Sequence, residues 1–201
     1  RLKKQVINKN SDIGLLSTYK LDADGQYNLV TGFDANIMVW DQTFLSVKFA
    51  QAFENDIKTQ ILTPDQSMYW LSMSSRSAKG FNYGASISRL GEDFDAGIGF
   101  LERTDYTRQG VRMDYQWWAG EDSRIQRHGP TIRGASFWDN SADKFNSSRH
   151  GLGYNVTWKN GAILETGLNF RYDDITESFD VADIATIPVD DYFFTSASIN
   201  Y

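Results

Sequence analysis

The segment "GEDFDAG" gathers Glu92, Asp93 and Asp95 in one short loop. Carboxylate oxygens are what a hard cation such as calcium selects, so this is the first place to look for a metal. The spacing is not that of an EF-hand loop, and a solvated acidic loop accounts for the same residues. A second candidate is "NSSRHGLGYN", where His150 follows Ser147 and Ser148. A serine nucleophile needs its base within hydrogen-bond reach and a third group to orient that base. The segment specifies neither, and an interfacial or loop histidine explains it better. His128, beside Gly129 and Pro130, reads as a bend residue. No phosphate-binding glycine loop, zinc spacing or paired-carboxylate pattern is present, so no catalytic residue is assigned.

A third set consists of Asp34, Lys48, Arg112, Asp114, Glu165 and Arg171. Each sits in a segment where apolar and polar residues alternate. Tyr27, Leu29, Thr31, Phe33, Ala35, Ile37 and Val39 alternate with Asn28, Gly32, Asp34 and Asn36. Val111, Met113, Tyr115 and Trp117 oppose Arg112, Asp114 and Gln116; Leu164, Leu168, Phe170 and Tyr172 oppose Glu165, Gly167, Asn169 and Arg171. A period of two is the mark of strands with one apolar and one polar face. No helical period of comparable length occurs. The chain therefore reads as all-β, an antiparallel up-and-down transmembrane β-barrel or a large segment of one, with about 10–12 strands in a single domain over residues 1–201.

The predicted strands cover residues 2–8, 11–21, 25–39, 43–53, 66–76, 80–90, 104–118, 123–138, 146–159, 162–174 and 190–201. Gly129 and Pro130 suggest a bulge or bend in the eighth. Short turns are expected at "WDQT", "SAKG", "AGED" and "KNGA", and longer connections at "ENDIKTQILTPD", "GEDFDAGIGFLERT", "DNSADKF" and "DITESFDVADIATIPVD". Short and long connections alternate, with "DADG" the exception, so in a meander they fall at opposite ends. That asymmetry characterises outer-membrane barrels. The polar positions then become lumen-lining candidates, and Trp117 and Trp158 fall where an interfacial aromatic girdle is expected.

Composition agrees. There is no run of 18 apolar residues, which excludes a spanning helix but not a barrel of short alternating strands. Aromatic residues make up 14% of the chain, including six Trp and ten Tyr. The formal charge of -6 argues against nucleic acid as a partner. Cysteine is absent, which removes disulfides and thiolate chemistry. Eleven predicted strands against the even number of single-chain bacterial barrels leave two readings, a miscounted strand or a segment of a larger barrel.

"SDIGLLSTYK" (11–20), "YNLVTGFDANI" (27–37) and above all "ISRLGEDFDAGIGFLERTDYTRQGVRMDY" (87–115) resemble a bacterial outer-membrane family of uncharacterised function, domain of unknown function 5916. The resemblance implies a Gram-negative outer-membrane barrel, usually preceded by a carbohydrate-binding-family-9-like domain. It implies no catalytic residues. The expected protein is a pore or transporter, or the membrane anchor of a carbohydrate-recognising module, with membrane lipid and a carbohydrate or small polar solute as partners. The alternatives are a soluble all-β carbohydrate-binding domain using Trp118 or Trp138 as stacking platforms and, third, an outer-membrane hydrolase.

Overall fold

A computed structural model describes residues 1–40, 42–55, 61–182 and 184–201. Among them the fold is all-β. In chain order the strands are β1 (Leu2–Gln5), β2 (Asp12–Leu21), β3 (Tyr27–Trp40), β4 (Thr43–Glu54), β5 (Ser67–Ser75), β6 (Gly80–Leu90), β7 (Tyr106–Trp118), β8 (Ile125–Asp139), β9 (Lys144–Trp158), β10 (Ile163–Ile175), β11 (Phe179–Val181), β12 (Ala185–Ile187) and β13 (Asp190–Asn200). Eleven form one sheet in the order β1-β2-β3-β4-β5-β6-β7-β8-β9-β10-β13, and β11 with β12 forms a separate hairpin. Each sheet strand neighbours the next in sequence, as in a meander. The strand order runs from β1 to β13, and no pairing that closes it occurs among the described residues.

The strands match the alternation because each apolar or polar set must stay on one face. Strand β1 stops early: Ile7 takes a φ of 62°, and Val6 N–H donates to the Ser11 carbonyl at 3.0 Å, which turns the chain. Strand β8 runs through Gly129 and Pro130 without a break in the strand. Gly129 fits because β7 runs so close that an added Cβ would lie 1.7 Å from the Tyr115 carbonyl oxygen. "DNSADKF" is not a long connection: β8 and β9 extend through it and leave only residues 140–143, where Asp139 Oδ1 accepts from Ala142 N–H at 2.8 Å. Parts of "WDQT" and "ENDIKTQILTPD" lie outside the described residues.

The chain divides into two compact units, one of Arg1–Arg76, Gly84–Gln109 and Asp139–Lys144, the other of Ser77–Tyr83, Gly110–Trp138 and Phe145–Tyr201. In the first, register fixes what each face carries. One cross-strand row runs Ile13, Ala35, Val47, Leu71, Ile87, and the next Leu15, Phe33, Phe49, Tyr69. The opposite face carries Gly14, Asp34, Lys48, Trp70, Ser88 and the row Asp12, Asn36, Ser46, Ser72, Ser86.

The burial of these faces is the reverse of a soluble sheet. Leu15 is 59% exposed, Phe33 46% and Leu71 45%, so the apolar face is bare. The small core lies on the polar face instead. There Ala52 and Leu90 pack with Phe94, flanked by Val30, Ala50, Met68, Ala96 and Leu101. Phe94, Ala96 and Leu101 come from the β6–β7 connection, residues 91–105, which folds back over the polar face.

In the second unit, Leu152 pairs with Leu168, and Leu168 with Ala197; Tyr154, Thr166 and Ile199 make the adjoining row. The other face carries Asn155, Glu165 and Asn200 in one row and Gly151, Asn169 and Ser196 in another. Leu152 and Ile199 are 50% and 76% exposed, so here too the apolar face is uncovered.

Candidate functional site

The polar face holds the six charged candidates, and alternation puts them there because each follows an apolar neighbour on an extended strand. In the first unit Asp34 and Lys48 are direct cross-strand partners. Arg1 also reaches Asp34 at 3.2 Å, and Lys48 Nζ lies 4.5 Å from the centre of the Trp70 ring. In the second, Arg112 makes an ion pair with Asp114 at 3.1 Å, and the Asn82 side-chain amide donates to Asp114 Oδ2 at 3.2 Å. Asp114 is buried although Arg112 is 71% exposed, so the aspartate is the anchored member.

Glu165 and Arg171 line a groove of about 720 Å³ on the polar face of the same unit, with Arg133, Arg149, Asn155 and Asn169. Its floor exists because Gly151, Gly153 and Gly167 project nothing, and neighbours lean into the space. A Cβ on Gly153 would lie 2.8 Å from Thr131 Oγ1, and one on Gly167 would lie 2.9 Å from Ser198 Oγ. Arg133 and Arg149 were not among the sequence candidates. The signal was available: Arg149 shares parity with Gly151, Gly153 and Asn155, and Arg133 shares it with Thr131.

The acidic loop does not form a cation site. Glu92 accepts from Ser141 Oγ at 3.3 Å, and Asp95 Oδ1 accepts from Gly97 N–H at 2.9 Å. Among the described residues no group of three or more metal-ligating side chains forms, so Glu92, Asp93 and Asp95 are not brought together. The loop is instead an internal tether. Asp93 N–H donates to the Asp65 carbonyl at 2.9 Å, Asn28 Nδ2 to the Asp95 carbonyl at 3.3 Å, and Phe94 is 6% exposed between its acidic neighbours.

Neither histidine has a catalytic arrangement. His150 Nε2 lies 3.4 Å from Ser136 Oγ on β8, and no hydrogen bond joins it to Ser147 or Ser148. His128 is not a bend residue: its Nδ1 lies 2.6 Å from the Tyr154 hydroxyl and its ring stacks on Trp117 at 5.5 Å.

Trp117 thus belongs to a cluster with Tyr115, His128 and Tyr154 toward the short-turn ends of their strands. Trp158 packs edge-on against Tyr201 at 6.0 Å. Toward the opposite strand ends, Trp138, Phe145 and Tyr172 form another cluster, with ring centres 5.4 and 5.3 Å apart. Trp118 donates its indole N–H to the Ala78 carbonyl at 3.0 Å.

No known protein family, curated protein or solved structure matches this chain.

Proposed function

We propose that the chain is part of a Gram-negative outer-membrane β-barrel, with its apolar face against lipid and its polar face lining an aqueous interior. The observation that carries this reading is the reversal of burial: cross-strand rows of Leu, Ile, Val and Phe stand exposed while the core sits on the polar side. Monomeric soluble proteins rarely leave so wide an apolar surface bare. Lipid accepts it without cost, and strands whose charges on that side, such as Lys4, Arg89 and Asp174, lie near their ends suit it.

The aromatic clusters support the same reading. Tyr154 and Phe145 belong to opposite clusters on one strand, and at about 3.3 Å per residue they are roughly 30 Å apart. A tilt of about 40° reduces this to roughly 23 Å, close to the ~25 Å apolar band of a membrane barrel. Inside, the β6–β7 connection narrows the polar side, as loops do in plugged barrels. The motif resemblance of residues 87–115 to domain of unknown function 5916 points the same way. The activity is passage of a polar solute, or anchoring of a carbohydrate-recognising module.

Gel mobility and vesicle flotation of detergent-refolded protein test the reading. A membrane barrel floats with lipid vesicles and migrates differently before and after boiling. A protein that stays monomeric and soluble without detergent, and sediments apart from vesicles, contradicts it and favours a soluble sugar-binding domain.

A further inference from the structure

The groove on the second unit carries an unusual charge arrangement. Arg149 and Arg171 are direct cross-strand partners. Such partners stand about 5 Å apart at Cα, and like charges so placed disfavour the pairing. Their neighbour on β8 adds a third positive charge. A Cβ on Gly153 would meet Thr131, and one on Gly134 would meet His150 Nδ1 at 2.7 Å, so the register sets Arg133 beside Gly151, next to Arg149.

Several cations elsewhere pair with carboxylates. Arg1 pairs with Asp34, Lys3 with Asp12, Arg89 with Asp65 and Arg112 with Asp114. Arg133, Arg149 and Arg171 make no ion pair among the described residues. Asp173, next along the same face from Arg171, is not within ion-pair distance of it. Glu165 lines the far part of the groove, six residues along the strand from Arg171. The guanidiniums are exposed to the groove rather than spent on structure.

The remaining lining is neutral and hydrogen-bonding: Asn155, Asn169, Ser196 and Ser198 over the glycine floor. Guanidinium forks recognise carboxylate, sulfate or phosphate oxygens in pairs, and amides and hydroxyls suit sugar hydroxyls. From this geometry we infer that the groove binds an anionic, hydroxyl-rich solute, an acidic saccharide whose anionic group is held by Arg133, Arg149 and Arg171. In a chain of net charge -6, this local positive site selects anions where the whole molecule repels them. The inference does not rest on the other face meeting lipid.

Isothermal titration calorimetry on the full chain in detergent tests it, with trigalacturonate and its neutral methyl ester as probes. The acid is expected to bind about tenfold or more tightly than the ester, with affinity falling as salt rises. Replacing both Arg149→Gln and Arg171→Gln is expected to cost about tenfold or more for the acid and little for the ester. Far-ultraviolet circular dichroism verifies the fold of that variant, and the single Arg133→Gln variant gives a milder case with a smaller loss in the same direction. Equal affinity for acid and ester, no binding of the acid, or unchanged affinity in folded variants overturns the inference.

Discussion

Phe33 and Phe49 face each other across β3 and β4 with ring centres 5.6 Å apart, and among the described residues no other segment covers Phe33, which is 46% exposed. An aromatic pair normally stabilises a sheet by removing both rings from water. Here the sheet aligns the rings and leaves one side of Phe33 open, so the remaining contact must come from the surroundings. Lipid provides it.

Arginine substituted on that face therefore probes the surroundings. In lipid vesicles, Phe33→Arg is expected to destabilise the folded protein by about 2–4 kcal/mol, the cost of Arg on the lipid side near mid-membrane. Ser72→Arg, on the opposite face, is expected to change stability by less than about 0.5 kcal/mol. Reversible urea titration in vesicles measures both, and equal effects of the two substitutions contradict the assignment of faces.

Phe94 ties the β6–β7 connection to the sheet through Ala52 and Leu90. Phe94→Ala removes a buried ring and is expected to cost about 3 kcal/mol. Limited proteolysis should then cleave within residues 91–105 much faster than in the unmodified protein. Unchanged protection would mean that the hydrogen bonds of Asp93 and Asn28 hold the segment without the ring.

Close strand approach gives a sharper contrast. A Cβ at Gly129 would sit 1.7 Å from the Tyr115 carbonyl oxygen, while one at Gly120 meets nothing within 4 Å. Gly129→Ala should lower stability by about 2 kcal/mol or more, since the strands must separate. Gly120→Ala should be close to neutral. Denaturant midpoints of the two variants decide this directly.

The depth of the tryptophans is a further prediction. In single-tryptophan variants reconstituted in brominated lipids, Trp117 and Trp158 should be quenched more strongly by bromine near the headgroup than near the acyl-chain end. The reverse order would remove them from the boundary.

Much of this fold could be read from residue order, because alternation is local. Each of the eleven long alternating segments became a sheet strand, and Asp34, Lys48, Arg112, Asp114, Glu165 and Arg171 fell on the polar side as parity requires. What could not be read depends on contacts distant in sequence. The "GEDFDAG" loop looked solvated because its carboxylates dominate its composition, yet Phe94 between them decides where it packs. His128 looked like a bend beside Gly129 and Pro130, but its neighbours are Trp117 and Tyr154 on other strands. The opposition of Arg149 to Arg171 depends on the register between β9 and β10, which the turn at 159–162 sets. "DNSADKF" misled because turn-forming residues such as Asp139 also fit the ends of long strands.

The central claim, that one face of this sheet meets lipid and the other water, is tested most directly by spin labels along β5. The chain contains no cysteine, so labels attach only where one is introduced. Tyr69→Cys, Leu71→Cys and Met73→Cys fall on the apolar face, and Trp70→Cys, Ser72→Cys and Ser74→Cys on the polar one. In vesicles, nitroxides at residues 69, 71 and 73 should be relaxed mainly by oxygen, which concentrates in the membrane, and those at 70, 72 and 74 mainly by a water-soluble nickel complex. Alternation with a period of two in these opposite phases is the predicted result. Nickel access at 69, 71 and 73 equal to that at their neighbours would contradict the account.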